Sequence, residues 1–286
     1  MSRTIIVSNR VPVPSTTEAQ AGGLAVVLRD LLEKRGGVWF GWSGTISDET
    51  SVNTVRAGHV KFATIDLSQA EHDGFYNGFS NSVLWPLLHM MPGLIKFQRE
   101  DAEMYDRVNE RMADALAALA KPEDTIWVQD YHLFSLPAAL RARGLRNPIG
   151  FFLHIPFPPA AMLSMVPGMD RLVRNVMAAD LIGLQTKHDA TNFEAAACTL
   201  AQARSLAPGL LSLGRSIARV DVFPVEIEPL EFAAIAARSA ASPTTARLKA
   251  SLHGQHLVLG VDRLDPSKGL PERLEAFGRL LERHPE

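Results

Sequence analysis

The sequence predicts an α/β protein whose first domain is a doubly wound parallel sheet, and three observations predict it. Short runs nearly continuous in Val, Ile, Leu and Phe recur along the 286 residues. Helical periodicity fills several of the intervals between them, and most of the runs end on polar or charged residues. Continuous apolar strands are expected where helices cover both faces of a parallel sheet. Strand, helix and strand in repetition is the pattern of a doubly wound domain.

Taken in order, Thr4–Ser8 (TIIVS) opens the sheet. Leu24, Val27, Leu28, Leu31 and Leu32 then recur at the spacing of one helix face. Residues 38–43 and 52–67 are less periodic and read as extra strands or a hairpin. Tyr105, Val108, Met112, Leu116 and Leu119 share one face of a helix that starts near Arg99. Thr125–Gln129 (TIWVQ), Ile149–Leu153 (IGFFL), Leu181–Gln185 (LIGLQ) and Val220–Pro224 (VDVFP) continue the sheet. Arg238–Thr245 (RSAASPTT) is small, polar and carries a proline, so it reads as a linker. After it a strand, His256–Val261 (HLVLGV), a loop and a helix bearing Leu274, Phe277 and Leu281 begin a second βα unit. The domains are thus expected at residues 1–240 and 241–286. The second falls far short of the ~100–150 residues of an ordinary domain, so the chain is expected to be truncated within it.

The apolar fraction of 47% beside 21% charged residues suits a soluble globular protein with a real core. A net charge of -2 points to neither a nucleic-acid nor a membrane partner, so an anionic substrate must meet locally placed cations. Cys198 is the single cysteine, which precludes a disulfide within the chain and fits a reducing, cytoplasmic compartment. No apolar stretch reaches the ~20 residues of a membrane span.

Ligands of open parallel sheets bind beyond the carboxyl ends of the strands. Those ends deliver Asn9-Arg10, Asp130-Tyr131-His132, His154, Gln185-Thr186-Lys187 and Asp262-Arg263 to one edge. Gly22 and Gly23 open the first helix, where free N–H groups and partial positive charge suit an anion; a plain helix-entry pair is the alternative. The dinucleotide fingerprint G-x-G-x-x-G is absent there, which counts against a nicotinamide or flavin enzyme. Arg10 is either a phosphate ligand or a structural ion pair. Arg263 and Lys268 either cradle a diphosphate or stand as solvated loop charges. Trp39, Trp42 and Trp85, with Phe40, Phe75, Tyr76 and Phe79, either fill the core or stack on sugar rings. His154, between an apolar strand and a proline-rich turn, is either a core histidine or a site residue.

A set of longer motifs runs in order through essentially the whole chain: Ser8-Asn9-Arg10, Ala21–Leu24 (AGGL), Trp39–Gly44 (WFGWSG), Val83–Pro86 (VLWP), Trp127–His132 (WVQDYH), Phe152–Phe157 (FLHIPF), Val261–Asp265 (VDRLD) and Ser267–Leu270 (SKGL). In these the chain resembles the trehalose-6-phosphate synthases. The resemblance implies a GT-B fold, with a Rossmann-like acceptor-binding domain and the start of a second Rossmann-like domain for the nucleotide sugar. It implies transfer of glucose from UDP-glucose to glucose 6-phosphate with retention and with no metal in the chemical step. Arg10, Tyr76, Trp85 and Asp130 would then line the glucose 6-phosphate pocket, and Gly22 and Gly23 would contact the donor. Arg263 and Lys268 would hold the departing diphosphate, His154 would lie against the donor glucose, and Trp85 with Ile155 would bear on the acceptor anomer. Pro266 departs from the aromatic residue many relatives carry. The acidic motif for the donor ribose is expected beyond Glu286. Two rival readings are a sibling transferase with another acceptor, such as glucosylglycerol-phosphate synthase, and a catalytically silent sugar-phosphate-binding module. A homo-oligomer is an open alternative to a monomer.

Overall fold

The computed structural model describes residues 3–13, 28, 31–49 and 51–285. By contact the chain divides into two compact units, Met1–Pro224 and Val225–Glu286.

The first unit is built on a mixed sheet of ten strands. In chain order they are β1 (Thr4–Arg10), β2 (Gly37–Ile46), β3 (Asn53–Ala57), β4 (Val60–Leu67) and β5 (Thr125–Gln129), followed by β6 (Ile149–Phe152), β7 (Leu181–Leu184), β8 (Arg204–Ala207), β9 (Leu210–Leu213) and β10 (Ser216–Val222). Their spatial order is β3-β4-β2-β1-β5-β6-β7-β10-β9-β8. The stretch from β4 to β10 is parallel, while β3 pairs antiparallel with β4 on one edge and β9 pairs antiparallel with both β10 and β8 on the other. The less periodic stretches of the sequence are therefore strands: β2, and the β3–β4 hairpin. From β1 the order runs outward through β2 and β4 on one side and through β5, β6 and β7 on the other. The topological switch point lies between β1 and β5, where the carboxyl ends leave a crevice.

Alternation along the strands decides which face each side chain enters. Ile5, Val7, Val38, Phe40, Ile126 and Val128 belong to the main core, and Ile6, Trp39 and Phe62 to a second cluster with Leu28 and Leu32. Leu28 and Leu32 of the first predicted helix thus cover one face; Leu24 and Val27 lie outside the described residues. The long helix α1 (Arg99–Leu119) buries Tyr105, Val108, Met112 and Leu116, the stripe its spacing foretold. Helices α2 (Leu136–Ala142), α3 (Met169–Val176) and α4 (Lys187–Thr199) complete the crossovers. Between β4 and α1 the backbone of His72–Leu84 winds in wide π-type turns, closing with a bond from Trp85 N to Ser80 O. Gly78 lets this segment lie on α1, because a Cβ there would sit 2.4 Å from the carboxyl carbon of Asp101.

Helix α1 also anchors the turn that follows β5. Tyr105 is fully buried; its hydroxyl donates to Tyr131 O at 2.7 Å and accepts from Phe134 N at 2.9 Å. Asn109 Nδ2 donates to His132 O at 3.1 Å.

The second unit holds α5 (Pro229–Ala240), α6 (Pro243–Ser251) and α7 (Leu270–Arg283), none of which buries a residue. The predicted linker at 238–245 is the joint between α5 and α6, with Ser242 Oγ accepting from Thr245 N at 3.2 Å. The strand expected at His256–Val261 is not formed, and Val258 and Leu259 are 69% and 76% exposed. A parallel strand needs neighbours for its N–H and C=O groups, and the second unit has no other strand among its described residues.

Replacing Tyr105 by Phe leaves Tyr131 O and Phe134 N buried without their partner. We expect a loss of about 1–3 kcal/mol of stability in urea unfolding. An unchanged midpoint would show that the turn does not depend on this hydroxyl.

Candidate functional site

The site grows from the end of β1. Between Ser8 and Arg10 the register against β2 shifts, and such a bulge re-aims the side chain that follows it. Ser8 secures the bend: its hydroxyl donates to Arg10 O at 2.9 Å and accepts from the buried Trp39 indole at 2.8 Å. The exposed Arg10 guanidinium then comes to rest with Cζ 6.0 Å from the centre of the Trp42 ring. It also lies on Gly44, where φ is +93° and a Cβ would sit 2.8 Å from Arg10 Nε.

From Arg10 a continuous line of rings leads across the strand ends. Trp42 stands 5.8 Å from Tyr76, Tyr76 stacks on His132 at 5.8 Å and 12°, and His132 lies 3.9 Å from Tyr131. Tyr131 is 5.6 Å from Trp85, which in turn lies 4.1 Å from His89. His72 sits 5.4 Å from both Trp42 and Tyr76. Trp39, Phe40, Phe75 and Phe79 are core; Trp42 is also a core residue, 6% exposed, at one end of the line, while Tyr76 and Trp85 are half-buried against that core.

Asp130 sits beside this line at the switch point, with φ +73° and ψ 170°. That region is costly for any residue with a side chain and persists only where the surroundings over-determine it. Here Asp130 N donates to Phe152 O at 2.7 Å, and Asp130 Oδ1 accepts from His154 N at 3.2 Å. Burial pushes its carboxyl up to about 6, against the lowering effect of the bonds from His154 N and Tyr131 N. The segment after His154 has no regular structure, yet α4 holds it. Phe157 N donates to the buried Asp189 Oδ1 at 2.9 Å, and Asn192 Nδ2 donates to Phe157 O at 2.8 Å. The half-buried His154 ring packs 4.5 Å from Phe152 and reaches Gln129 Oε1 at 2.9 Å. Ile155 is half-buried against the main core.

In the second unit Arg263 donates to Asp265 at 3.1 Å, and Asp265 Oδ1 accepts from Ser267 N and Oγ. Pro266 heads the short turn Pro266–Lys268, a position where its missing N–H is no loss. Lys268 is exposed at the end of that turn. Gly22 and Gly23 lie outside the described residues. Lys187 falls elsewhere, in an open cleft of about 620 Å³ with Glu194, Gly209 and Arg219. That cleft contains none of the ring line, and volume alone does not identify the site.

Residues the sequence reading passed over include His72, Asn81 and Gln129. Asn81 Oδ1 accepts from Tyr131 Oη at 2.9 Å. His72 and Asn81 lie on the π-type segment, whose geometry leaves no 3.6-residue signature to read.

Burial depresses two imidazoles from 6.5, His132 to about 3 and His154 to about 4. Below the ordinary value the unfolded chain takes up protons that the fold refuses, so for each the fold is favoured above that value and loses ground as pH falls from it to the lowered one. Asp130, raised from 3.8 to about 6, acts in the opposite sense and favours the fold at low pH. The two histidine shifts together exceed the carboxyl shift, so stability falls as pH drops from about 7 to about 4. Both ring nitrogens of His132 are buried with no hydrogen bond among the described residues. His132→Phe is therefore expected to raise the urea midpoint near neutrality and to flatten the pH slope, and Asp130→Asn to steepen it. A slope indifferent to His132→Phe would remove that group from the account.

The sequence pattern of glycosyltransferase family 20 matches residues 2–286. A trehalose-6-phosphate synthase of Cronobacter sakazakii is 42% identical over 287 residues, covering 100% of this chain and 60% of its own. A solved alpha,alpha-trehalose-phosphate synthase (UDP-forming) from Burkholderia vietnamiensis superposes with a TM-score of 0.93 at 42% identity, covering 100% of this chain and 61% of its own. Another from Burkholderia xenovorans, in complex with glucose-6-phosphate, gives a TM-score of 0.89 at 41% identity over 99% of this chain and 63% of its own. The chain spans about 60% of the length of the curated relatives it matches. Matched by the family pattern over residues 2–286 and superposing along its whole length on a solved relative, the chain belongs to glycosyltransferase family 20.

Proposed function

We propose that the first unit is the acceptor side of a retaining glucosyltransferase that joins glucose from UDP-glucose to glucose 6-phosphate. One observation carries the reading: Arg10, the ring line from Trp42 to Trp85, and Asp130 meet at the switch point of the sheet. Rings offer faces to a pyranose, a guanidinium suits a phosphate, and a carboxylate accepts from sugar hydroxyls. A relative crystallised with glucose-6-phosphate supports the same acceptor, and a UDP-forming relative supports the same donor.

The chemistry follows from charge. The bond from glucose C1 to the diphosphate breaks, leaving negative charge on the phosphate and oxocarbenium character on the sugar. Arg263 and Lys268 are the cations assigned to the departing diphosphate, so the reading needs no metal for the step. The acceptor's anomeric hydroxyl attacks C1 on the face the diphosphate leaves, and its proton passes to the leaving phosphate oxygen. The products are α,α-trehalose 6-phosphate and UDP. No carboxylate nucleophile is required, unlike a retaining glycosidase. Among the described residues no helix is long and apolar enough to cross a membrane.

Incubating the full-length protein with UDP-glucose and glucose 6-phosphate should yield trehalose 6-phosphate and UDP; product only with another phosphorylated acceptor would reassign the substrate. Arg263→Ala or Lys268→Ala should cut turnover by roughly 10²-fold. Gly44→Ala intrudes on the Arg10 guanidinium, so KM for glucose 6-phosphate should rise by about tenfold with KM for UDP-glucose unmoved. Equal changes in both would place Arg10 outside the acceptor pocket.

A further inference from the structure

Gln129 ends β5, is completely buried, and has two different neighbours for its two amide atoms. Nε2 faces the main-chain oxygen of Trp127 at 3.5 Å, and Oε1 lies 2.9 Å from His154 Nε2. A carbonyl oxygen can only accept, so the group turned toward Trp127 O must be the amide NH2. Turning the amide over would set oxygen against oxygen. Oε1 therefore faces the histidine, and since it too only accepts, the proton must sit on His154 Nε2. Nδ1 is left with its lone pair, and no hydrogen bond to it is found among the described residues. Asp130, the nearest charged partner, bonds to the main-chain N of His154 and not to its ring.

We propose that Gln129 is a positioning residue that locks His154 as the Nε2–H tautomer, so that Nδ1 offers a hydrogen-bond acceptor to one hydroxyl of the donor sugar. This rests on the reading that His154 lies against the donor glucose. Several features serve such a lock. Gln129 is rooted in a central strand, between β1 and β6. Phe152, 4.5 Å from the ring, restrains its rotation. Burial keeps the imidazole neutral near pH 7 by lowering it to about 4, so a single tautomer persists. A histidine free to exchange tautomers would spend part of its time presenting N–H where the hydroxyl needs an acceptor.

The first arm of the test is spectroscopic and needs no turnover. Long-range 1H–15N correlation spectra of the full chain, with His154 identified through His154→Asn, should show a protonated Nε2 and a bare Nδ1 near pH 7. Gln129→Leu should give averaged tautomer shifts. A protonated Nδ1 in the unaltered protein overturns the proposal, as does an unchanged spectrum in Gln129→Leu. Should Gln129→Leu not fold, the unaltered protein's spectrum still decides the tautomer.

The second arm is kinetic, in the full-length protein. Gln129→Leu should lower kcat/KM for UDP-glucose by about tenfold, with KM for glucose 6-phosphate unchanged. Gln129→Glu, buried and so protonated to donate toward Trp127 O while keeping an acceptor toward His154, should recover most of the loss. Among singly deoxygenated donor sugars, one should lose little further activity in Gln129→Leu while the others lose as much as in the unaltered protein. Parallel losses for donor and acceptor, with no such non-additive sugar, would reduce Gln129 to a packing residue. The expected tautomer in a protein that transfers no glucose would sink the transferase reading and leave the lock standing.

Discussion

The strand-end crevice of the first unit depends on one turn, the one at the end of β5. There the chain enters a backbone conformation that Asp130 adopts only because its surroundings leave no alternative. Phe152 O takes the Asp130 N–H, His154 N reaches back to its carboxylate, and Tyr105 and Asn109 hold the following residues from α1. Because β1, β5 and β6 are adjacent, this single turn brings the end of each strand within reach of the others. Arg10, Asp130 and His154 come from three strands, yet the turn joins the last two directly and sets Tyr131 and His132 into the line that reaches the first.

Several features here oppose stability. A left-handed non-glycine residue, a buried carboxyl raised toward neutrality and an imidazole with two unpaired nitrogens are all unfavourable on their own. They gather in one place, flanked by a densely buried core in which Tyr105, Phe75 and Val128 are fully enclosed. Strain concentrated at a strand-end crevice and carried by a rigid scaffold is what a preorganised binding site requires. The polar network reaching Gln129 follows the same logic, since a buried amide with defined neighbours can dictate the protonation of the ring beside it.

The second unit illustrates the opposite condition. Helix α7 is amphipathic and follows a well-formed turn in which Asp265 organises Ser267 and restrains Arg263. Yet Leu230 and Leu264 are 87% and 97% exposed, and no helix there buries a residue. Local geometry is therefore set by caps and loop hydrogen bonds, while the burial that would organise a sheet does not occur. The turn bearing Arg263 and Lys268 forms because its bonds are short-range. The strand before it does not form because its bonds would be long-range.

Much was legible in the residues alone. Continuous apolar runs located β1, β5, β6, β7 and β10 to within a few residues but not the edge strands β8 and β9, and the 3.6-residue stripe located α1, because both signals are local and repeat along the chain. Strand-end position likewise singled out Arg10, Asp130, His132 and His154. Tertiary structure decided the rest. It left Tyr76 and Trp85 half-buried while enclosing Trp39, Trp42 and the phenylalanines Phe40, Phe75 and Phe79, since identical residue types serve either purpose and only their neighbours distinguish them. It brought in His72 and Asn81 through a helical geometry with no familiar period. It showed Gln129 to be more than a strand terminus, because a hydrogen bond between residues 25 positions apart leaves no mark in either local sequence. And it withheld the strand at His256–Val261, for a β-strand is completed by its neighbours and not by its own sequence.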